Sequence, residues 1–181
     1  MAHVNLVDPA SSSAAVKPTL DRIQGAFGVV PNMFKAVANS PAALASLWGS
    51  FGALGQGKIG PKLGEQIAVA VADRNDCNYC LAAHTALGRR AGATDGEMAD
   101  AQRGHSADPR TAAALAFAVK VVESRAAVDA TDVEALRAAG FDDEAIVEIL
   151  AHVALNLFTN YVNVAFDVPV DFPGVTLSRT A

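Results

Sequence analysis

Alanine fills 38 of the 181 positions, whereas aromatic residues make up only 6%. Alanine gives up no side-chain entropy on entering a helix, and strands draw on aromatic and β-branched side chains. A chain weighted this way is predicted to be all-α. Its 51% hydrophobic content and its length suit one domain that buries a real core without covalent staples. The same composition excludes a disordered chain, a collagen-like one and a disulfide-framework mini-protein.

The punctuation along the chain is that of a helix bundle. Ser40-Pro41 offers an N-cap with proline at the first helical position. Gly60-Pro61 opens another helix, with Leu63, Ile67, Ala70 and Val71 at helical spacing. Asp76 is placed to cap a helix beginning at Cys77 and closed by Gly92. Thr94 with Glu97, and Thr131 with Glu134, fit capping boxes. Asp108-Pro109 opens a helix carrying Leu115, Val119 and Val122. Asp142 or Asp143 starts a last, broadly apolar one through Ile146, Ile149, Leu150, Val153, Leu157 and Val164. Pro169 and Pro173 stop its extension. Seven to nine helices are expected in one single-domain helical bundle over 18–173. A Ser/Ala-rich arm precedes it over 1–17, either mobile or packed as a strap, and a tail follows over 174–181.

The formal net charge is −5 and no basic face is visible. Nucleic acid is therefore not an expected partner, because phosphate contacts need clustered cations. The first twenty residues lack the basic start and long apolar run of a secretion signal. No stretch gives about 18 unbroken apolar residues for a membrane span. A cytoplasmic protein with no membrane partner is expected. Two cysteines in that compartment point to catalysis or metal binding rather than to a structural disulfide.

Those two cysteines carry the chemistry. Cys77, Cys80 and His84 fall at i, i+3 and i+7 of one predicted helix, hence on one face. Cys77 would sit in the first turn, where unpaired N–H groups and the helix dipole favour a thiolate. His84, one turn beyond Cys80, would exchange a proton with it, and Glu65 on the preceding helix would orient that imidazole. Three readings compete for the pair. Free cysteines are often simply buried. A metal site needs a fourth ligand and usually a second pair, so one CxxC with one His makes a poor set. A redox pair explains the spacing, the helix start and the His together. Leu81 follows Cys80, so the CxxCH haem-attachment pattern is absent. No metal, flavin or other cofactor is expected.

Glu65, eleven intervening residues, Cys77-x-x-Cys80, three more and His84 form a pattern that resembles the alkyl hydroperoxidase D family of the carboxymuconolactone decarboxylase superfamily. Pro31-Asn-Met-Phe-Lys-Ala-Val-Ala-Asn-Ser-Pro41, Asp108-Pro109-Arg110, and Asn160-Tyr-Val-Asn163 through Asp171-Phe-Pro173 resemble its "peroxidase-related" branch. The resemblance implies an all-α fold assembled as a homodimer, trimer or hexamer. It implies thiol-dependent reduction of hydrogen peroxide or alkyl hydroperoxides, with a lipoyl or thioredoxin-like dithiol as reductant. Cys80 would attack the peroxide. Cys77 would donate the proton and then resolve the sulfenic acid as a Cys77–Cys80 disulfide, with Glu65 and His84 as the proton relay. Thioredoxin-type logic instead makes the first cysteine the nucleophile. Where the hydroperoxidase D enzymes carry a second His just before the second cysteine, this chain has Tyr79. The superfamily's decarboxylases lack the CxxC, which disfavours lactone decarboxylation. The alternatives are a non-catalytic redox sensor or thiol–disulfide adaptor using the same pair, and an enzyme acting on another small molecule in the same pocket.

His152, Asn156, Asn160 and Asn163 follow i, i+4, i+8 and i+11 on the last helix, a polar stripe on an apolar element. Either it lines a pocket above the thiols, with His152 and Asn156 beside Tyr79, or it is a hydrogen-bonded seam. The seam is the favoured expectation, because buried amides need partners whatever the function. The aromatics Phe34, Trp48, Phe51, Phe117, Phe158 and Phe166 are expected in the core or at an interface. His105 and His3 are expected on the surface.

Overall fold

The structure is a computed structural model and describes residues 2–178. Among these the chain forms nine α-helices and no strand: α1 (Lys17–Phe27), α2 (Asn32–Val37), α3 (Pro41–Leu54), α4 (Pro61–Arg74), α5 (Asn78–Arg90), α6 (Asp95–Gln102), α7 (Pro109–Glu123), α8 (Ala130–Ala138) and α9 (Asp143–Ala165). The all-α expectation is met.

The bundle is built around α4. Every residue from Gln66 to Asp73 is buried, the pattern of a helix enclosed on all sides. It packs against α5, α6, α7 and α9. Small residues let these neighbours approach. A Cβ on Gly88 of α5 would meet Met98 Sδ and Cε at 2.5 Å and the Glu65 Cβ at 3.4 Å; one on Gly64 of α4 would meet the His152 ring at 3.1 Å. Bare glycine thus permits the close α5–α6 contact at Gly88 and the close α4–α9 contact at Gly64 that places His152. Among the described residues, α9 is the one helix long and apolar enough to cross a membrane by length and composition, and half of its most apolar stretch is buried. Here it packs against six other helices.

Most helix starts follow the sequence. Ser40, Asp108 and Asp142 accept from the backbone at the third helical position, and Thr94 and Glu97 form a capping box. Two starts differ. The box at α8 is Asp129 with Asp132, not Thr131 with Glu134; Asp129 lies at the extended N-cap and reaches two backbone N–H groups, while Asp132 returns to Asp129 N at 2.9 Å. Asp76 does not cap α5. It sits at φ +52°, in the left-handed region rather than the extended backbone usual at an N-cap. The cap is Cys77, whose sulfur accepts from Cys80 N at 3.3 Å.

The N-terminal segment is a strap. His3 N donates to Phe166 O and Val7 N to Lys35 O, and Val4, Leu6 and Val7 pack on the core. At the other end, Leu177 is buried and Ser178 N donates to Asp73 Oδ1 at 2.8 Å. Asp73 is fully buried, yet bonds from Ser178 and Gln102 and the Arg74 charge outweigh that burial and hold its carboxyl below the usual range. Residues 179–181 of the expected tail lie outside the described residues.

Candidate active site

The site forms where α5, α4 and α9 meet. Both cysteines are free thiols and both are buried, Cys77 at 1% and Cys80 at 2% exposure. Cys77 caps α5, so its sulfur sits over the first turn. Cys80, one turn on, faces α9, where Asn163 Nδ2 donates to its sulfur at 3.1 Å and Thr159 Oγ1 lies at 3.9 Å. On the next turn of α5, His84 Nδ1 meets Glu65 Oε2 across the α4–α5 contact at 2.7 Å.

These contacts separate the two thiols electrically. Burial opposes ionisation of Cys80, but the hydrogen bond with Cys77, the charge on His84, and the hydrogen bonds with Asn163 and Thr159 together bring it down to about 6. Cys77 is pushed the other way, by its hydrogen bond with Cys80, by burial and by the Cys80 charge. One proton shared by two sulfurs therefore resides on Cys77. Burial also works against protonation of His84, but the charge and hydrogen bond of Glu65 and the nearby Cys80 outweigh it and raise its pKa. A thiolate at Cys80 and an imidazolium at His84 stabilise each other.

Two chambers open on this centre. One, of about 40 Å³, is apolar and brings Phe27, Met33, Phe34 and Phe172 against Cys80 and His84. The other, of about 220 Å³, is a more polar chamber, in which Glu65, His84, His152 and Asn156 share the lining with apolar residues such as Phe51, Leu54 and Leu155. His84 and Phe51 line both, so the imidazole stands between them. Among the described residues no group of three or more His, Cys, Asp or Glu side chains is arranged to hold a metal ion.

The carboxymuconolactone decarboxylase family model matches residues 41–124, which include the whole Glu65–His84 segment. No curated protein matches the chain. Two solved structures resemble it over nearly its full length. An uncharacterized peroxidase-related protein with an alkylhydroperoxidase AhpD core, from Ralstonia eutropha JMP134, superimposes with a TM-score of 0.86 at 26% identity, covering 94% of this chain and 92% of that one. Another uncharacterized peroxidase-related protein, from Silicibacter sp. TM1040, gives 0.82 at 27% identity, covering 93% and 91%. The chain is thus similar to the alkyl hydroperoxidase D-like, peroxidase-related proteins of the carboxymuconolactone decarboxylase superfamily. The fold is shared with the debrominase Bmp8, seen in complex with 2,3,4-tribromopyrrole, at TM-score 0.78 and 24% identity, covering 94% of each chain.

Within this alkyl hydroperoxidase D-like fold, the four residues singled out as a catalytic set converge on one centre. Tyr79, in the position of the family's second His, offers no titrating group: burial and the Asp171 carboxylate push its phenol well up, and its oxygen accepts from Met33 N at 3.2 Å. It forms a wall of the apolar chamber, edge-on to Phe172 at 5.7 Å. The stripe on α9 divides. Asn160 takes a seam bond from Asn75 at 2.9 Å, whereas His152 and Asn156 line the polar chamber and Asn163 holds the Cys80 sulfur. The favoured seam reading is thus right for Asn160 and too simple for the rest. Thr159 was not singled out, although it lies seven residues from His152 on the same face. Of the aromatics, Phe34 and Phe117 are buried, but Phe158 and Phe166 are exposed on α9 and beyond its end.

Proposed function

We propose that this protein is a thiol peroxidase that reduces alkyl hydroperoxides or hydrogen peroxide. The observation that carries the reading is the environment of Cys80: a buried sulfur held as thiolate by His84 and Asn163, opening on an apolar chamber. A thiolate is the nucleophile in thiol chemistry, and a buried one with stabilising neighbours stays available at neutral pH. Cys80 attacks the terminal oxygen of the hydroperoxide, the O–O bond breaks, and His84, oriented by Glu65, gives its proton to the departing alkoxide. The products are an alcohol and a sulfenic acid on Cys80. Cys77, poised one turn away as the protonated partner, then attacks that sulfur. Water leaves and the Cys77–Cys80 disulfide forms. A lipoyl or thioredoxin-like dithiol restores both thiols.

This assignment makes the second cysteine the nucleophile, against the expectation that the cysteine nearest the helix end is the more acidic. A debrominase shares the fold, so the fold alone does not choose the substrate; the apolar chamber against Cys80 favours a small organic hydroperoxide. The protein is also proposed to act in the cytoplasm as a homo-oligomer, its exposed Phe158, Tyr161, Val164 and Phe166 offering an apolar face to a second copy.

The test is steady-state consumption of cumene hydroperoxide by the reduced protein, with dihydrolipoamide as donor. Repeated turnover is expected. One oxidation without turnover would favour a redox sensor, and a pair of thiols inert to peroxide would transfer the site to other small-molecule chemistry.

A further inference from the structure

A cavity of about 380 Å³, the size of a small-molecule pocket, lies at the start of α4 and touches neither cysteine. The first turn of α4, Glu97 of α6 and the start of α7 bound it. Hydrogen-bond donors collect there without acceptors. The N-cap of α4 is Gly60, which has no side chain to offer the helix end. Pro61 has no N–H, and the first backbone bond into the helix runs from Gly64 N to Gly60 O at 3.1 Å. The N–H groups of Lys62 and Leu63 therefore have no partner among the described residues. One turn further, Gln66 lines the same cavity at 3% exposure, and its side-chain amide makes no hydrogen bond among the described residues. Neither amide atom is fully enclosed, so the opening it has is the cavity's. A buried amide without a protein partner costs free energy unless water or a ligand meets it.

The charged groups in the wall divide in the same way. Both acids are engaged. Glu97 Oε1 accepts from Lys62 Nζ and its Oε2 from Thr94 N, each at 2.7 Å. Asp108 Oδ2 accepts from Thr111 N at 2.8 Å as the cap of α7. The Arg110 guanidinium, by contrast, lies over the Phe141 ring at 4.1 Å and makes no ion pair or hydrogen bond among the described residues. Asp108 and Asp142 feel its charge without contacting it.

We infer that this cavity binds a small monocarboxylate with a short apolar body, its carboxylate seated on the Lys62 and Leu63 N–H groups and the Gln66 amide, with Arg110 in the wall beside it. The helix end favours negative charge. A planar pair of oxygens matches adjacent N–H donors and a guanidinium fork. Ile59, Pro61 and Leu63 supply an apolar wall for the body of the ligand. Charge sets the class. Lys62 and Arg110 balance Glu97 and Asp108, so the wall offers no net cation to offset a second negative charge. A dianion such as phosphate is disfavoured there, and a carboxylate is not.

The test is an NMR titration of the nitrogen-15-labelled full chain, kept reduced, with sodium benzoate. Benzamide, the uncharged amide of the same shape, and inorganic phosphate are titrated in parallel. Benzoate is expected to shift the Lys62 and Leu63 amide resonances and the Gln66 side-chain amide saturably. It should bind at least about tenfold more tightly than benzamide or phosphate. Arg110→Gln, a change on the surface, and Gln66→Met, which conserves volume and removes the amide, should each weaken benzoate by about fivefold or more. Should Gln66→Met fail to fold, Arg110→Gln alone decides. Shifts that do not saturate, benzamide or phosphate binding as tightly as benzoate, or an affinity unchanged in either folded variant overturn the inference. Shifts centred on His152 and Asn156 would put the ligand in the polar chamber and overturn it as well. None of these readouts depends on peroxide, so the failure of the peroxidase reading would leave them standing.

Discussion

Cys77 and Cys80 are three residues apart and chemically identical, yet the first turn of α5 treats them in opposite ways. Cys77 has the helix end: its sulfur accepts a backbone N–H as the N-cap. Cys80 has none of that, but it faces Asn163 and Thr159 on α9 and lies one turn from the His84–Glu65 pair. The helix-end rule picks Cys77 as the acidic thiol. The full set of neighbours picks Cys80. A sulfur's reactivity here is decided by residues about 80 positions away in the chain, which no local motif contains.

The largest effect that would sharpen this contrast is removal of one sulfur at a time. Cys80→Ser should lower the rate of peroxide reaction by about a thousandfold or more, because no activated nucleophile remains. Cys77→Ser should keep the first reaction with peroxide and lose cycling. A rapid-quench assay comparing the two separates them, and equal damage in both would break the comparison. Next in size are Glu65→Gln and His84→Gln, each expected to slow the oxidative step by about a hundredfold through loss of the proton relay. Both should fall together, since they act as one unit.

A smaller effect, about tenfold, is expected from Asn163→Ala, which removes a donor to the thiolate. It also sets a direction in pH. The thiolate is the reactive form, and Cys80 is held near 6, so the oxidation rate should fall as pH drops through that value and level off above it. Without Asn163 the acid limb should move to higher pH. A profile that stays in place would mean that Asn163 does not stabilise the reacting charge. The smallest effect belongs to His152→Ala. Burial lowers the pKa of this imidazole, which lines the polar chamber without touching either sulfur. Turnover should change by less than about threefold, well under the loss expected of an acid–base group.

How much of this was legible before folding follows from the same contrast. Helix starts that depend on one polar side chain and its own next turn, such as Ser40, Thr94 and Asp108, were readable because cap and target are neighbours in sequence. Asp76 misled because a left-handed φ at that position is a tertiary outcome, fixed by how α4 ends and α5 begins. The pair Glu65 and His84 was readable since adjacent helices in a bundle pack side by side. The roles of Asn163 and Thr159 were not, because periodicity places them on a face without saying what the face meets. The α9 stripe shows that limit well: one helical face serves the seam at Asn160, the sulfur at Asn163 and the chamber at His152.

The most direct test of the account is single-turnover oxidation of the reduced Cys77→Ser protein by one equivalent of cumene hydroperoxide, read by intact mass and thiol counting. The account predicts loss of the remaining thiol within one turnover and a gain of about 16 Da, the sulfenic acid on Cys80. A Cys77→Ser protein whose thiol and mass stay unchanged, beside a Cys80→Ser protein that does oxidise, would contradict it and make Cys77 the nucleophile.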